Sequence, residues 1–533
     1  MPHGRAPDAM LAPVTGRPRP LAEVRVGDGP LLSPAATRRV VTLFVLPYLV
    51  LGLVWALANP AIAAPDEDAH LVKALGMSRF DIGVPGPPAP DPTVLGDVRN
   101  ASITRVVQIP ARLNPAGYAC FFFRADVTAA CQPTEARATE GDVAARTTLG
   151  AYPPYLYPVV GWAAALGSDP PSATRLGRLV VLAASVVLLW LACWHLVRWL
   201  GARSLVGVAA LLTPMAVFCL GILNTSSVEI LGAAGMAAVV AAYARRPESL
   251  AHTATQAVVL VSGTALVLSR QLGIVTMAVL TAVLLLLGGW RDVWAGLRAR
   301  RPVTWAAVLG PALSTLTVGV WELRYDHPVL LGPWVSLDSF RGFREQWMQL
   351  IQESVGWFGW LDVRPPYVVN LVWFAASVAL VVTALVVGDR RDRVVLLGMV
   401  VAVLLVSYVT YSRIFFPINA GLQGRHVLPI VALIPIWSGV VVASRLRPRP
   451  FAIAVRVAAV ALPLVLLTGL YLNAKRYAVG LDSGPAWFVP AAQWTPPLGW
   501  YPWLVLAGGG CVLLGVAWVR VLGQVRVASG TAR

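Results

Sequence analysis

From residue 39 onward the chain alternates long apolar runs with short polar turns, and arginines punctuate many of those turns. A helix of about 20 apolar residues matches the hydrocarbon thickness of a bilayer. On that measure twelve runs predict transmembrane helices, at approximately 39–63, 174–199, 204–222, 226–244, 252–269, 271–289, 303–321, 367–388, 394–411, 426–445, 452–472 and 501–520. Tyr152 to Leu166 is apolar but short and opens on Pro153-Pro154, which predicts a re-entrant or interfacial helix. Leu71, Ala74 and Leu75 recur at helical spacing and predict a helix over Asp66 to Phe80 lying along the membrane surface. The expected fold is therefore an all-α polytopic membrane protein.

Composition agrees: 57% of the 533 residues are hydrophobic, only 13% are charged, and the mean hydropathy is +0.68. A soluble chain of this length would carry about twice that share of charge. The formal net charge of +17 does not read as nucleic-acid binding, because the arginines form no basic–aromatic stripe. They follow the positive-inside rule instead. Arg198 and Arg203, Arg245-Arg246, Arg291 to Arg301, Arg390 to Arg393, Arg445 to Arg449 and the C-terminal Arg520, Arg526 and Arg533 all fall on one side of the twelve-span layout. That side is expected to be the cytoplasm of a cell-membrane protein with both termini inside. Residues 1–37 are rich in Pro, Arg and Gly and predict a disordered cytoplasmic tail; residues 38–520 form the transmembrane domain, and 521–533 a second tail. The long segments 64–150, 322–366 and 473–500 then share the outer side and can assemble over the membrane. Lysine occurs only at positions 73 and 475, and this Arg-for-Lys usage suits a GC-rich, actinobacterial genome.

Candidate chemistry concentrates at the outer boundary. Directly after the first span stands Pro65-Asp66-Glu67-Asp68-Ala69-His70. Charge at this depth is costly unless it works. A helix starting at Pro65 would put Asp66, Glu67 and His70 on one face, a general base with a phosphate or metal partner; the bland alternative is a solvated acidic helix start. Gln423, Arg425 and His426 open the tenth span, and Arg binds phosphate oxygens bidentately, although a polar helix cap would look the same. Arg270-Gln271 places an arginine on the outer side, against the charge trend, so it needs an anionic ligand or an acid such as Glu229 or Asp338. Asn224 and Glu229 stand at the outer ends of the third and fourth spans, and Glu229 interrupts an apolar run. Lys475-Arg476, Arg341 and Arg344 read as solvated charge. Trp321, Trp334, Trp347, Trp357 and Trp360 read as an aromatic belt or a sugar-stacking groove. Cys193, Cys219 and Cys511 are packing residues, and Cys120 and Cys131 suit a disulfide if their loop lies outside, with the pairing left open. No nucleotide-binding, serine-hydrolase or zinc-hydrolase motif is present.

Four motifs, in order, resemble a family of bacterial predicted membrane proteins called domain-of-unknown-function family 2142. They are Pro65-Asp66-Glu67-x-x-His70, Tyr152-Pro153-Pro154-Tyr155, Thr213-Pro214-Met215 followed by Asn224, and Gln423-Gly424-Arg425-His426 with Leu428-Pro429. The resemblance covers roughly residues 40–445. That family in turn looks like the GT-C superfamily of membrane glycosyltransferases. The resemblance implies a GT-C-like fold, a polyprenyl-phosphate sugar donor, an envelope glycan or lipid acceptor, and catalysis outside the cytoplasm. Asp66 would be the base with Glu67 as understudy. Arg425, Arg270 and His70 would hold the leaving phosphate, and Gln271, Asn224, Gln423 and His426 would bind substrate. No cofactor is required, although Asp66 and Glu67 could bind Mg or Mn. Rival readings are a transporter or flippase of lipid-linked saccharides and a non-catalytic envelope-assembly protein.

Overall fold

The computed structural model describes residues 32–134, 140–325, 331–481 and 484–523. Most of the N-terminal tail and nearly all of the C-terminal one lie outside the described residues; within them the first helix already begins at Pro34. The fold is an all-α, multi-pass membrane fold. Its helices are α1 (Pro34–Ala58), α2 (Glu67–Met77), α3 (Leu95–Ile103), α4 (Tyr157–Ala164), α5 (Pro170–Leu200), α6 (Val206–Leu211), α7 (Pro214–Leu220), α8 (Ser226–Arg245), α9 (Thr253–Ser269), α10 (Gln271–Leu284), α11 (Trp290–Arg298), α12 (Pro302–Arg324), α13 (Leu337–Gly356), α14 (Tyr367–Val387), α15 (Arg390–Thr410), α16 (Gly424–Val431), α17 (Leu433–Arg445), α18 (Pro448–Val479) and α19 (Trp500–Leu522).

Each of the twelve predicted runs is helical, but they are not twelve equal crossings. Among the described residues nine helices are long and apolar enough to span a membrane. The run at 204–222 is broken between α6 and α7 by an 86° bend, and the run at 426–445 between α16 and α17 by 44°. Pro214 starts α7 without a backbone N–H, and Thr213 caps it by accepting from Ala216 N at 3.2 Å, so the chain turns sharply there. α9 has only 17 residues. α8 is the centre of the bundle, nearly all of its residues buried against α5, α9, α10, α16 and α17. Its Gly- and Ala-rich sequence lets those helices approach closely.

The long segments do gather at one end. Residues 84–147 contribute a three-stranded antiparallel sheet, β1 (Val84–Pro85), β2 (Arg105–Pro110) and β3 (Asp142–Thr147), in the order β1-β2-β3. Thr128 donates to Gln493 at 3.1 Å and Arg476 to Asp362 at 2.6 Å, joining all three long segments. Cys120 and Cys131 are disulfide-bonded in the same layer. The arginine-rich turns gather at the other end, where Arg445 pairs with Asp389 at 2.8 Å and Arg245 with the buried Asp392.

Two local expectations fail. α2 does not lie on a surface: almost all of its residues are buried, between β2, β3, α4 and α5. Its apolar spacing therefore reflects a protein core. Arg476 is not solvated; it is fully buried, donating to Asp362 at 2.6 and 2.9 Å and to the carbonyls of Phe121, Arg124 and Val127. A compartment-specific reporter fused after Gly117, within the sheet-bearing end, should be active only outside the cytoplasm, as the arginine distribution requires. Cytoplasmic reporting there would overturn the orientation.

Candidate functional site

The segment Asn59 to Ala64 is held from all sides. Arg178 donates to Asn59 O at 3.3 Å and Pro60 O at 2.8 Å, Gln132 to Ala61 O at 2.7 Å, Trp360 to Ile62 O, and Tyr477 to Ala63 O at 2.5 Å. This network holds two non-glycine residues in the left-handed region, Ile62 at φ +59° and Asp66 at φ +67°. Such conformations cost of order 1–3 kcal/mol each and persist only where surroundings over-determine them. Asp66 is thus the residue before α2 and not, as Pro65 suggested, inside its first turn. Its side chain is 41% exposed and accepts from Arg425 Nη2 at 3.0 Å.

Glu67 takes a different part from the one expected. It is fully buried, and both oxygens are spent: Arg178 donates at 2.8 and 2.6 Å, Leu223 N at 2.7 Å and Ala64 N at 3.2 Å. It ties α2 to α5 and to the start of α8. Gln271 is likewise a tie, donating to Ala151 O at 2.8 Å and Glu322 at 3.0 Å.

The other expected residues converge. α2, α8, α10 and α16 all begin here, preceded by Asp66, Thr225, Arg270 and Gln423, so their positive dipole ends meet at one level. Arg270 lies 3.9 Å from Glu229 and 5.3 Å from the centroid of the Tyr152 ring. Arg270 and Arg425 both act electrostatically on His70 and on His426. Burial, and then those two arginines and Lys73, hold the His70 imidazole well below its ordinary range, so it is neutral. Its Nδ1 is 2.9 Å from the Tyr157 hydroxyl, and the two rings stack. Burial raises the Tyr157 phenol far above its usual range, so its hydroxyl stays protonated; when it donates to Nδ1, the neutral ring carries its own hydrogen on Nε2. α4 reaches this position because Gly161 lies against Ala74 O, where a Cβ would collide.

Much of this polar surface is unspent. Asn224 Nδ2, both Glu229 oxygens, Arg270 Nε and Nη2, Gln423 Oε1, Arg425 Nε and His426 Nδ1 are buried without a hydrogen-bond partner. A buried polar group left unmade costs about 1–3 kcal/mol, and native interiors hold few of them. Such groups occur elsewhere in the bundle too, at His195 and Trp518 for example; those around Arg270 and Arg425 make a candidate ligand site.

Sequence reasoning missed three supports. Arg178 was legible only as an arginine inside an apolar run. Tyr157 follows the Tyr-Pro-Pro-Tyr motif without belonging to it. Glu353 carried no signal, yet it accepts from Gly424 N at 2.9 Å and so fixes the start of α16, which carries Arg425. Gly424 itself packs on the Glu353–Ser354 backbone, where a Cβ would clash. The five tryptophans divide: Trp321 and Trp360 donate to carbonyls, Trp347 packs on Phe343, Trp357 is buried, and Trp334 is exposed.

The carboxylates do not make a cation cage. Glu67 is spent on Arg178 and Asp66 faces Arg425; among the described residues no group of three or more His, Cys, Asp or Glu is placed to hold a metal ion.

The model of one family, described as Predicted membrane protein (DUF2142), matches residues 49–434. The chain belongs to this family. The DUF2142 match contains every residue of the cluster, from Asp66 to His426, and stops before α18 and α19. None of the curated proteins matches the sequence significantly. Among solved structures the chain is similar to the crystal structure of ArnT from Cupriavidus metallidurans in the apo state, with a TM-score of 0.42 and 14% identity over 92% of this chain and 77% of that one.

Proposed function

We propose that this membrane protein is a GT-C-like glycosyltransferase that moves a sugar from a polyprenyl-phosphate donor to an envelope glycan or lipid acceptor on the extracytoplasmic side. The observation that carries the reading is the pair of buried arginines, Arg270 and Arg425, with unspent donors beside the half-exposed Asp66. Two guanidinium groups and four helix N-termini suit a phosphate. A cleft of about 310 Å³ runs on from α16 between α13, α14 and α17, lined by Trp347, Leu350, Trp373, Val427, Leu428 and Ile434. Exposed Phe374, Val378 and Val382 line its mouth, so a lipid tail can enter from the bilayer.

The chemistry balances with these residues. The acceptor oxygen attacks the anomeric carbon as the bond from that carbon to the phosphate oxygen breaks. The phosphate keeps the electron pair, stabilised by Arg425 and Arg270 with neutral His70 as a further donor. The acceptor's proton passes to Asp66 Oδ1, while Oδ2 stays on Arg425. Attack from the face opposite the phosphate inverts the anomeric centre. Purified protein given a radiolabelled polyprenyl-phosphate sugar should transfer label into envelope glycans. Absence of transfer with every donor class overturns the reading.

Arg425→Ala should weaken binding of a short-chain polyprenyl-phosphate sugar, because a charge-assisted contact is worth about 1.5–3 kcal/mol, roughly 10- to 100-fold. Arg425→Lys should recover only part of this, having lost the planar fork. Unchanged affinity in Arg425→Ala, measured by titration calorimetry, moves the phosphate to Arg270.

One observation favours the flippase reading: two spans are broken, and discontinuous helices with their N-termini at a site are common in transporters. That reading requires labelled lipid-linked sugar to cross a proteoliposome membrane without transfer.

A further inference from the structure

Donors alone would suffice for a phosphate, yet the cluster also contains an unspent acid. Glu229 is fully buried on the first turns of α8, 3.9 Å from Arg270, and neither of its oxygens has a hydrogen-bond partner. One turn earlier Asn224 is equally buried; its Oδ1 accepts from Ser226 N at 2.9 Å, and its Nδ2 is unspent. Arg270, the partner of Glu229 and one of the two arginines offered to the phosphate, has its face covered by the Tyr152 ring and its Nε and Nη2 unspent. A phosphate offers only acceptors and would be repelled by Glu229. A hydroxyl both donates and accepts. Acceptors on Glu229 beside donors on Asn224 and Arg270 therefore match adjacent ring hydroxyls. A substrate carboxylate at the same place would meet a desolvated like charge.

We propose that Glu229, Asn224 and Arg270 form the subsite for the hydroxyls of the transferred sugar, and that this subsite admits neutral sugars and rejects uronic acids. The inference rests on the glycosyltransferase reading and adds the class of sugar to it.

The test uses the full chain in nanodiscs and three short-chain probes: polyprenyl phosphate, its neutral hexose conjugate and its hexuronate conjugate. Wild type should bind the hexose conjugate about 10- to 100-fold more tightly than bare polyprenyl phosphate, as expected for a hydrogen bond to a charged group, and the hexuronate conjugate more weakly than either. Glu229→Gln keeps shape but removes the charge. It should bind bare polyprenyl phosphate at least as tightly as wild type does, reduce the hexose advantage about tenfold and relieve the rejection of hexuronate. Asn224→Asp retains the acceptor for Ser226 N while removing the donor, so it should also cut the hexose advantage; it serves if the first variant melts early. Wild-type ratios among the three probes in both variants overturn the subsite. Bare polyprenyl phosphate that fails to bind wild type overturns the underlying reading instead.

Discussion

Asp66→Asn should accumulate in the membrane at the wild-type level and lose about 10²- to 10⁴-fold in the rate of sugar transfer, the usual loss on removing a general base. Folding should survive for two local reasons. Asn adopts the left-handed region as readily as Asp, so φ +67° is not newly strained. Its amide oxygen can still accept from Arg425 Nη2, the contact that Asp66 makes at 3.0 Å. What is lost is the capacity to take the acceptor's proton. The assay is initial rate with a labelled donor at saturating concentration, beside a donor-binding titration. Binding should change far less than rate, since the phosphate is held mainly by Arg425 and Arg270. A variant that transfers sugar at the wild-type rate would remove Asp66 from the chemistry. If Glu67→Gln and the double variant also complement a deletion strain fully, the envelope-scaffold reading becomes the better one.

Arg178→Ala should destabilise the protein by about 3–5 kcal/mol, the loss expected when one partner of a buried ion pair is removed. Both side chains of the pair are fully buried, and the guanidinium also satisfies the carbonyls of Ala56, Asn59 and Pro60. Truncation leaves a desolvated carboxylate and three weakened backbone acceptors under the segment that carries Asp66. Arg178→Lys keeps the charge but cannot bridge Glu67 and three carbonyls with one compact ammonium, so it should rescue only partly. Thermal melting followed by size-exclusion fluorescence in detergent reads the effect. A wild-type melting profile for Arg178→Ala would mean that the tie is not what holds the segment. Glu67→Gln should also lower the melting temperature, whereas Asp66→Asn should not; this contrast separates the two adjacent carboxylates.

The twelve helical runs were legible in sequence because the bilayer imposes a length and an apolar composition that no soluble helix of that size shares. The gathering of the long segments at one end followed from arginine placement, because positive charge is retained on one side of the membrane. The grouping of Asp66, His70 and Arg270 with Gln423, Arg425 and His426 could be approached the same way, since each interrupts an apolar context where charge is costly. Their actual contacts could not. Arg425 is 359 positions from Asp66 and Arg178 is 111 from Glu67; no periodicity relates residues so far apart. Two neighbouring acids with the same local pattern therefore looked equivalent. Only packing separated them: α5 brings Arg178 beneath Glu67 and desolvates it, while the left-handed turn at Asp66 aims that carboxylate at α16 and leaves it half open. The same reason applies to the bend at Thr213-Pro214. Apolar composition reports that a segment prefers lipid or core, but the direction it takes there is decided by the helices it must pack against.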